Sequence, residues 1–98
     1  MVYIVANWKM NKSAEEAIDF IENLNSFIID NNYNLPIAVA PPALFLPLLS
    51  PLSRSILWVA QNIASEKSGA YTGEISAKMV SDFAKYTIVG HSERRQYF

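Results

Sequence analysis

The chain is expected to fold as an α/β protein on a parallel sheet, and three observations lead there. Four short apolar runs recur at Val2–Ala6, Ile37–Ala40, Ile56–Ala60 and Tyr86–Val89,. Segments with helical periodicity or helix-start signals separate them. The composition supports a packed core, with 51% hydrophobic and 17% charged residues in a chain of 98,. Strand and helix in alternation are the mark of βα units and a parallel sheet.

Val2-Tyr3-Ile4-Val5-Ala6 is continuously apolar, the pattern of a strand buried on both faces,. Ser13-Ala14-Glu15-Glu16 has capping-box spacing, a serine followed three positions later by a glutamate,. Behind it Ala14, Ala17, Ile18, Ile21, Leu24 and Ile28 form one helical stripe, and Asp30-Asn31-Asn32 breaks the pattern,. Ile37–Ala40 is a second strand, fenced by Pro36 and Pro41-Pro42. The apolar segment 43–52 is interrupted by proline and fits one or two short helical turns,. Ile56–Ala60 is a third strand, followed by a long excursion over residues 62–75. Ser76 is placed to cap a helix whose apolar residues are Ala77, Val80, Phe83 and Ala84,. Tyr86–Val89 is the fourth strand, and Ser92-Glu93 has the pattern of a fourth helix start. No composition break divides the chain, so residues 1–98 are read as one stretch of a single domain with no internal boundary.

Charge and residue usage narrow the function. Eight basic and nine acidic residues are interspersed along the chain, a balance that argues against nucleic acid or an anionic membrane as partner,. No apolar run reaches the roughly 20 residues of a membrane span, and the N-terminus lacks the pattern of a signal peptide. The absence of cysteine excludes disulfides and thiolate metal sites and permits a cytoplasmic location,. One histidine and scattered carboxylates argue against a dedicated transition-metal site,.

Parallel strands joined by right-handed crossovers end on the same face of a sheet. Asn7-Trp8-Lys9, Pro41-Pro42, Gln61-Asn62 and Gly90-His91-Ser92 therefore converge on one rim, where α/β folds bind ligands,. Taken singly, each residue has a plainer reading. Lys9 would be a solvated lysine, Asn7 a turn cap, His91 a structural histidine, and Glu93, Arg94 and Arg95 helix-start charges. For Arg95 the plainer reading is preferred. His91 differs in following Gly90 and preceding a helix start, whose positive dipole end disfavours imidazolium and suits a neutral donor.

Three blocks carry a family resemblance. Asn7-Trp8-Lys9-Met10-Asn11 resembles the first-strand signature of the triosephosphate isomerase family. Ala60-Gln61-Asn62, with Gly69-Ala70-Tyr71-Thr72-Gly73-Glu74-Ile75-Ser76, resembles its third loop, and Gly90-His91-Ser92-Glu93-Arg94-Arg95 its fourth-strand motif. The blocks follow family order and spacing, and the likeness runs along the whole chain.

The resemblance implies a (β/α)₈ barrel, of which this chain would supply about the first half, strands one to four with their helices. It implies interconversion of dihydroxyacetone phosphate and D-glyceraldehyde 3-phosphate through an enediolate, without cofactor or metal, in cytoplasmic glycolysis and gluconeogenesis. Lys9 would pair with the anionic substrate and Asn7 would position it. His91 would be a neutral electrophile, this family being itself a standard case of a histidine kept neutral by a helix N-terminus. Glu93 would support Lys9, and Ser92 would open the helix. The 62–75 arm would dock into a second subunit of a homodimer, bringing Thr72 to the partner's Asn7 and Glu93, with Glu74 pairing Arg94.

One departure accompanies the match. A full barrel needs about 250 residues, and the family's catalytic glutamate lies in a later Tyr-Glu-Pro-type motif that does not occur among these 98 residues. The chain is thus expected to be inactive alone and to need a complementary C-terminal half. Two further readings stay open: a βα module that binds a small anion through Lys9 and His91, and a structural half-barrel that assembles with another chain or with copies of itself.

Overall fold

The computed structural model describes residues 3–90. Four parallel strands lie in the order β1-β2-β3-β4, with β1 at Ile4–Asn7, β2 at Ile37–Ala40, β3 at Ile56–Ala60 and β4 at Tyr86–Thr87. Asn7 stands beside Ala40, Val39 beside Trp58, and Ala60 beside Thr87, so neighbouring strands end level with one another.

Helix α1, Ala14–Asp30, follows β1. Its start is the expected capping box: Ser13 Oγ accepts from Glu16 N at 3.2 Å, and Glu16 Oε1 accepts from Ser13 N at 3.0 Å. Its end satisfies the last carbonyls through a left-handed residue. Asn32, at φ +48°, lets its own N–H reach Ile29 O at 3.2 Å while Tyr33 N reaches Ile28 O at 2.9 Å,. Of the predicted stripe, Ala17, Ile21 and Ile28 are buried, Ile18 and Leu24 are half-buried, and Ala14 is exposed. After β2, a 3₁₀ turn (Ala43–Phe45), the short helix α2 (Leu46–Leu49) and a second 3₁₀ turn (Ser50–Leu52) follow one another. Pro47 and Pro51 sit near the starts of the second and third of these, where a missing N–H matters least,.

The sheet has two unlike faces. Ile37 and Val39 of β2 and Ile56, Trp58 and Ala60 of β3 pack with Ala17, Ile21, Phe45, Leu46 and Leu49 into the main core. Ala38, Ala40 and Val59 point the other way and cluster, among the described residues, with Leu57 of β3 and with Ile88 just past β4. Every residue of β2 is buried, as its apolar run predicts. The first run behaves differently from the expectation of burial on both faces. Within β1, Ile4 is 44% and Val5 59% exposed, because β1 forms one edge of the described sheet.

Two elements are shorter than predicted. Helix α3 is the single turn Ala77–Val80, capped by Ser76 Oγ on Met79 N at 3.3 Å. Beyond it the Ser81 hydroxyl donates back to Lys78 O at 2.8 Å and Phe83 N bonds Val80 O, so the chain tightens into turns while Val80 and Ala84 stay buried,. Strand β4 covers Tyr86–Thr87 and not 86–89, although Ile88 N still reaches Ala60 O at 2.9 Å. The fourth helix start at Ser92-Glu93 lies outside the described residues.

Replacing the Ser13 cap by alanine is expected to lower stability to urea by about 1 kcal/mol. The Ser13 backbone N–H, then the Ser13 side chain, then the Lys12 charge hold the Glu16 carboxyl below its ordinary value of 4.5. A carboxyl lowered on folding stabilises fully above its unfolded value and loses that contribution as pH falls through the folded one. The stability gap between wild type and Glu16→Gln should therefore be widest near neutrality and close in acid below the ordinary carboxylate range. A gap that stays constant across that range would show that the charge on Glu16 contributes nothing.

Candidate functional site

The rim is assembled from the residues that leave β1, β2 and β3. Trp8 N donates to Ala40 O at 3.0 Å, extending the β1–β2 ladder past the strand. The next residue then reverses: Lys9 takes φ +56°, a left-handed conformation that costs a residue with a side chain roughly 1–2 kcal/mol,. Two side chains hold it there. Asn7 Oδ1 accepts from Lys9 N at 3.0 Å, an asparagine-type turn around Trp8,. From β3's end, Gln61 Nε2 donates to Lys9 O at 2.7 Å and to Ala40 O at 2.9 Å. Asn11 Nδ2 closes the inner part of the loop on Trp8 O at 2.8 Å.

The result is a lysine on a stiff platform. Trp8 is buried and anchors the loop in the main core, while Lys9 next to it is exposed at the end of the sheet. A residue held in a strained backbone region by neighbours that over-determine it is a common feature of functional sites. Gln61 is the part that sequence reasoning placed on the rim without a role. Its amide has two donors, and both go to carbonyls that the sheet ladder leaves at its end,.

Among the predicted site residues, the structure brings Asn7 and Lys9 together and places Gly90, with φ +64°, after the fourth strand. His91, Ser92, Glu93, Arg94 and Arg95 lie outside the described residues. Thr72 and Glu74 are exposed on the 62–75 arm. That arm is pinched at its base by Ala64 N on Ile75 O at 2.7 Å, and the Tyr71 ring covers Gly69 so closely that a Cβ there would meet it at 2.8 Å. No group of three or more histidine, cysteine or acidic side chains among the described residues is arranged to hold a metal. A groove lined in part by Arg54, Trp58, Asp82 and Tyr86 flanks the N-terminal ends of β3 and β4, opposite the rim. In parallel α/β folds ligands bind at the other end of the strands.

Parallel βα units with their polar strand-end residues gathered at one end define the class: an α/β protein whose architecture is that of the first half of a (β/α)₈ barrel,. Comparison with known proteins supplies the family. The family model described as triosephosphate isomerase matches residues 2–98. The triosephosphate isomerase of Mesomycoplasma hyorhinis is 45% identical over 100 residues, covering 97% of this chain and 41% of the relative. Those of Bacteroides fragilis (strain YCH46), at 43%, and Clostridium botulinum (strain Loch Maree / Type A3), at 45%, match over 98 residues, again 97% of this chain and 39% of each relative. The chain belongs to the triosephosphate isomerase family and spans about two fifths of the length of the curated relatives it matches.

Gln61→Ala would remove the amide donor from Lys9 O and leave Ala40 O with Trp8 N alone. It is expected to cost about 1–2 kcal/mol in urea unfolding. Gln61→Glu, which sets a carboxylate against the same two oxygens, should cost more. Equal stability of all three proteins would mean that water replaces the amide without loss.

Proposed function

We propose that this chain carries the early-strand share of a triosephosphate isomerase active site, working in the cytoplasm in glycolysis and gluconeogenesis. The observation that carries the reading is the left-handed Lys9, held at the strand ends by Asn7 and Gln61 in a chain of this family. An ammonium on a rigid loop suits a phosphorylated triose. It attracts the anionic substrate and offsets charge that grows on oxygen as a proton leaves carbon, and a fixed group needs no reorganisation during that step. In this reading Asn7 keeps the Lys9 backbone in place, His91 donates to the substrate oxygens as a neutral imidazole, Glu93 supports Lys9, and Ser92 serves as the helix-start residue of the family's motif. No cofactor or metal takes part.

Proton abstraction needs a base, and no acidic residue among the nine of this chain matches the family's motif for it. General base catalysis is worth about 10²–10⁴-fold. The 98 residues alone are therefore expected to show no measurable isomerase activity, and addition of a chain carrying the later strands should restore it. In that complex His91→Gln should lower kcat far more than it raises KM. Full turnover of the purified 98 residues, or an unimpaired His91→Gln complex, would overturn the assignment.

Homodimer formation through the 62–75 arm belongs to the same proposal, with Thr72 approaching the partner's Asn7 and Glu93, and Glu74 pairing with Arg94. The pinched base and exposed tip of the arm support it. The exposed edges matter too. Tyr3, Ile4 and Val5 on one side and Tyr86 and Val89 on the other are open apolar surface, and unpaired strand edges recruit other chains,. Sedimentation of the 98 residues over a concentration series should show association that rises with concentration. A monomer that stays compact into the high micromolar range would contradict it.

A further inference from the structure

The Lys9 loop is held on a third side, by a residue named so far only for its charge near Glu16. Lys12, the last residue before the α1 cap, is also left-handed, at φ +77°. Its ammonium lies 5.2 Å from the centroid of the Trp8 ring and 4.7 Å from that of Phe20. Those two rings pack edge-to-face, with centroids 5.6 Å apart and planes at 89°. Trp8 opens the loop and Phe20 stands on α1, so the Lys12 side chain reaches back across the turn and ties its start to the helix. Lys9 sits between the two ends of that tie.

We propose that Lys12 is a positioning residue whose charge, lodged against Trp8 and Phe20, keeps the 8–12 loop in the conformation that presents Lys9. Each alternative explanation of the loop's shape leaves Lys12 unexplained. Asn7 and Gln61 act on Lys9 itself, and Asn11 on Trp8 O. The capping box begins one residue later, at Ser13. A glycine at position 12 would take the same backbone conformation without strain; a lysine there has a side chain that the aromatic pair attracts. The inference rests on the proposed role of Lys9, yet the tie itself can be tested without turnover.

The test compares wild type, Lys12→Gln and Lys12→Arg. Lys12 is exposed, so neither substitution disturbs the core. Amide hydrogen exchange is followed at Trp8 and Lys9, whose N–H groups bond Ala40 O and Asn7 Oδ1, with Val39 and Val59 of the central strands as references. Loss of a cation over aromatic rings at an exposed site should speed exchange at Trp8 and Lys9 by roughly 2- to 5-fold in Lys12→Gln and leave the references unchanged. Lys12→Arg, which keeps a cation for the rings, should match wild type. Unchanged exchange in Lys12→Gln, arginine behaving like glutamine, or faster exchange spread equally to Val39 and Val59 would each overturn the proposal. In the reconstituted enzyme, Lys12→Gln should lower kcat/KM and Lys12→Arg restore it. A reconstituted wild type with no isomerase activity would refute the functional reading, while the exchange data would still decide whether Lys12 holds the loop.

Discussion

Parallel pairing in one register is the constraint from which the rest of this structure follows. With Asn7 level with Ala40 and Ala60 level with Thr87, the polar residues that follow each strand arrive at the same end. Pleating then assigns faces. Ala6 packs toward the main core and Asn7, one residue on and in register with Ala40, falls on the opposite face,. A slip of one residue would exchange these two, burying an amide among Ile21 and Val39 and removing Asn7 Oδ1 from Lys9 N. The apolar fit of the strands thus sets the position of the lysine that follows them.

A ladder that ends leaves carbonyls without partners, and the way this chain satisfies them links its strands. Ala40 O takes both Trp8 N and Gln61 Nε2, while Lys9 O takes the second donor of the same amide. One side chain at the end of β3 therefore holds the loop of β1 and the last residue of β2. Its partner Lys9 is 52 positions away in sequence, so the loop geometry exists only once three strands have assembled.

That distance explains what could be read from residues alone. The α1 cap, its apolar stripe from Ala17 onward and the boundaries of β2 and β3 depend on neighbours within a few positions, and the structure has them where the sequence places them. Asn31-Asn32 was legible as a break because asparagine tolerates the left-handed conformation that Asn32 adopts,. The exposure of β1 was not legible, since an apolar run carries no information about what lies along its outer edge. Where α3 ends, the Ser81 hydroxyl bonds Lys78 O, a local competitor that a stripe of apolar positions does not register,. Of the site, Asn7 and Lys9 were readable as a motif, whereas the donor role of Gln61 depends on two carbonyls brought from elsewhere in the chain. His91 and the residues after it lie beyond those described, and the roles proposed for them rest on the resemblance to the family.

The two rim segments are restrained by different means, and the difference matches the work proposed for each. The 62–75 arm is closed by a backbone bond at its base and by Tyr71 folding over Gly69, which leaves its tip to be shaped by whatever it meets. The 8–12 loop is tied by side chains from three directions: Asn7 from its own strand, Gln61 from β3, and Lys12 toward α1. A docking arm gains its order from a partner and needs only a fixed root. A cation that must meet charge developing on a substrate has to be in place beforehand, because any reorganisation during the reaction would add to the barrier. Two left-handed lysines within four residues are strain of the kind that pre-organisation requires, and the surrounding amides and aromatic rings are what sustain it,.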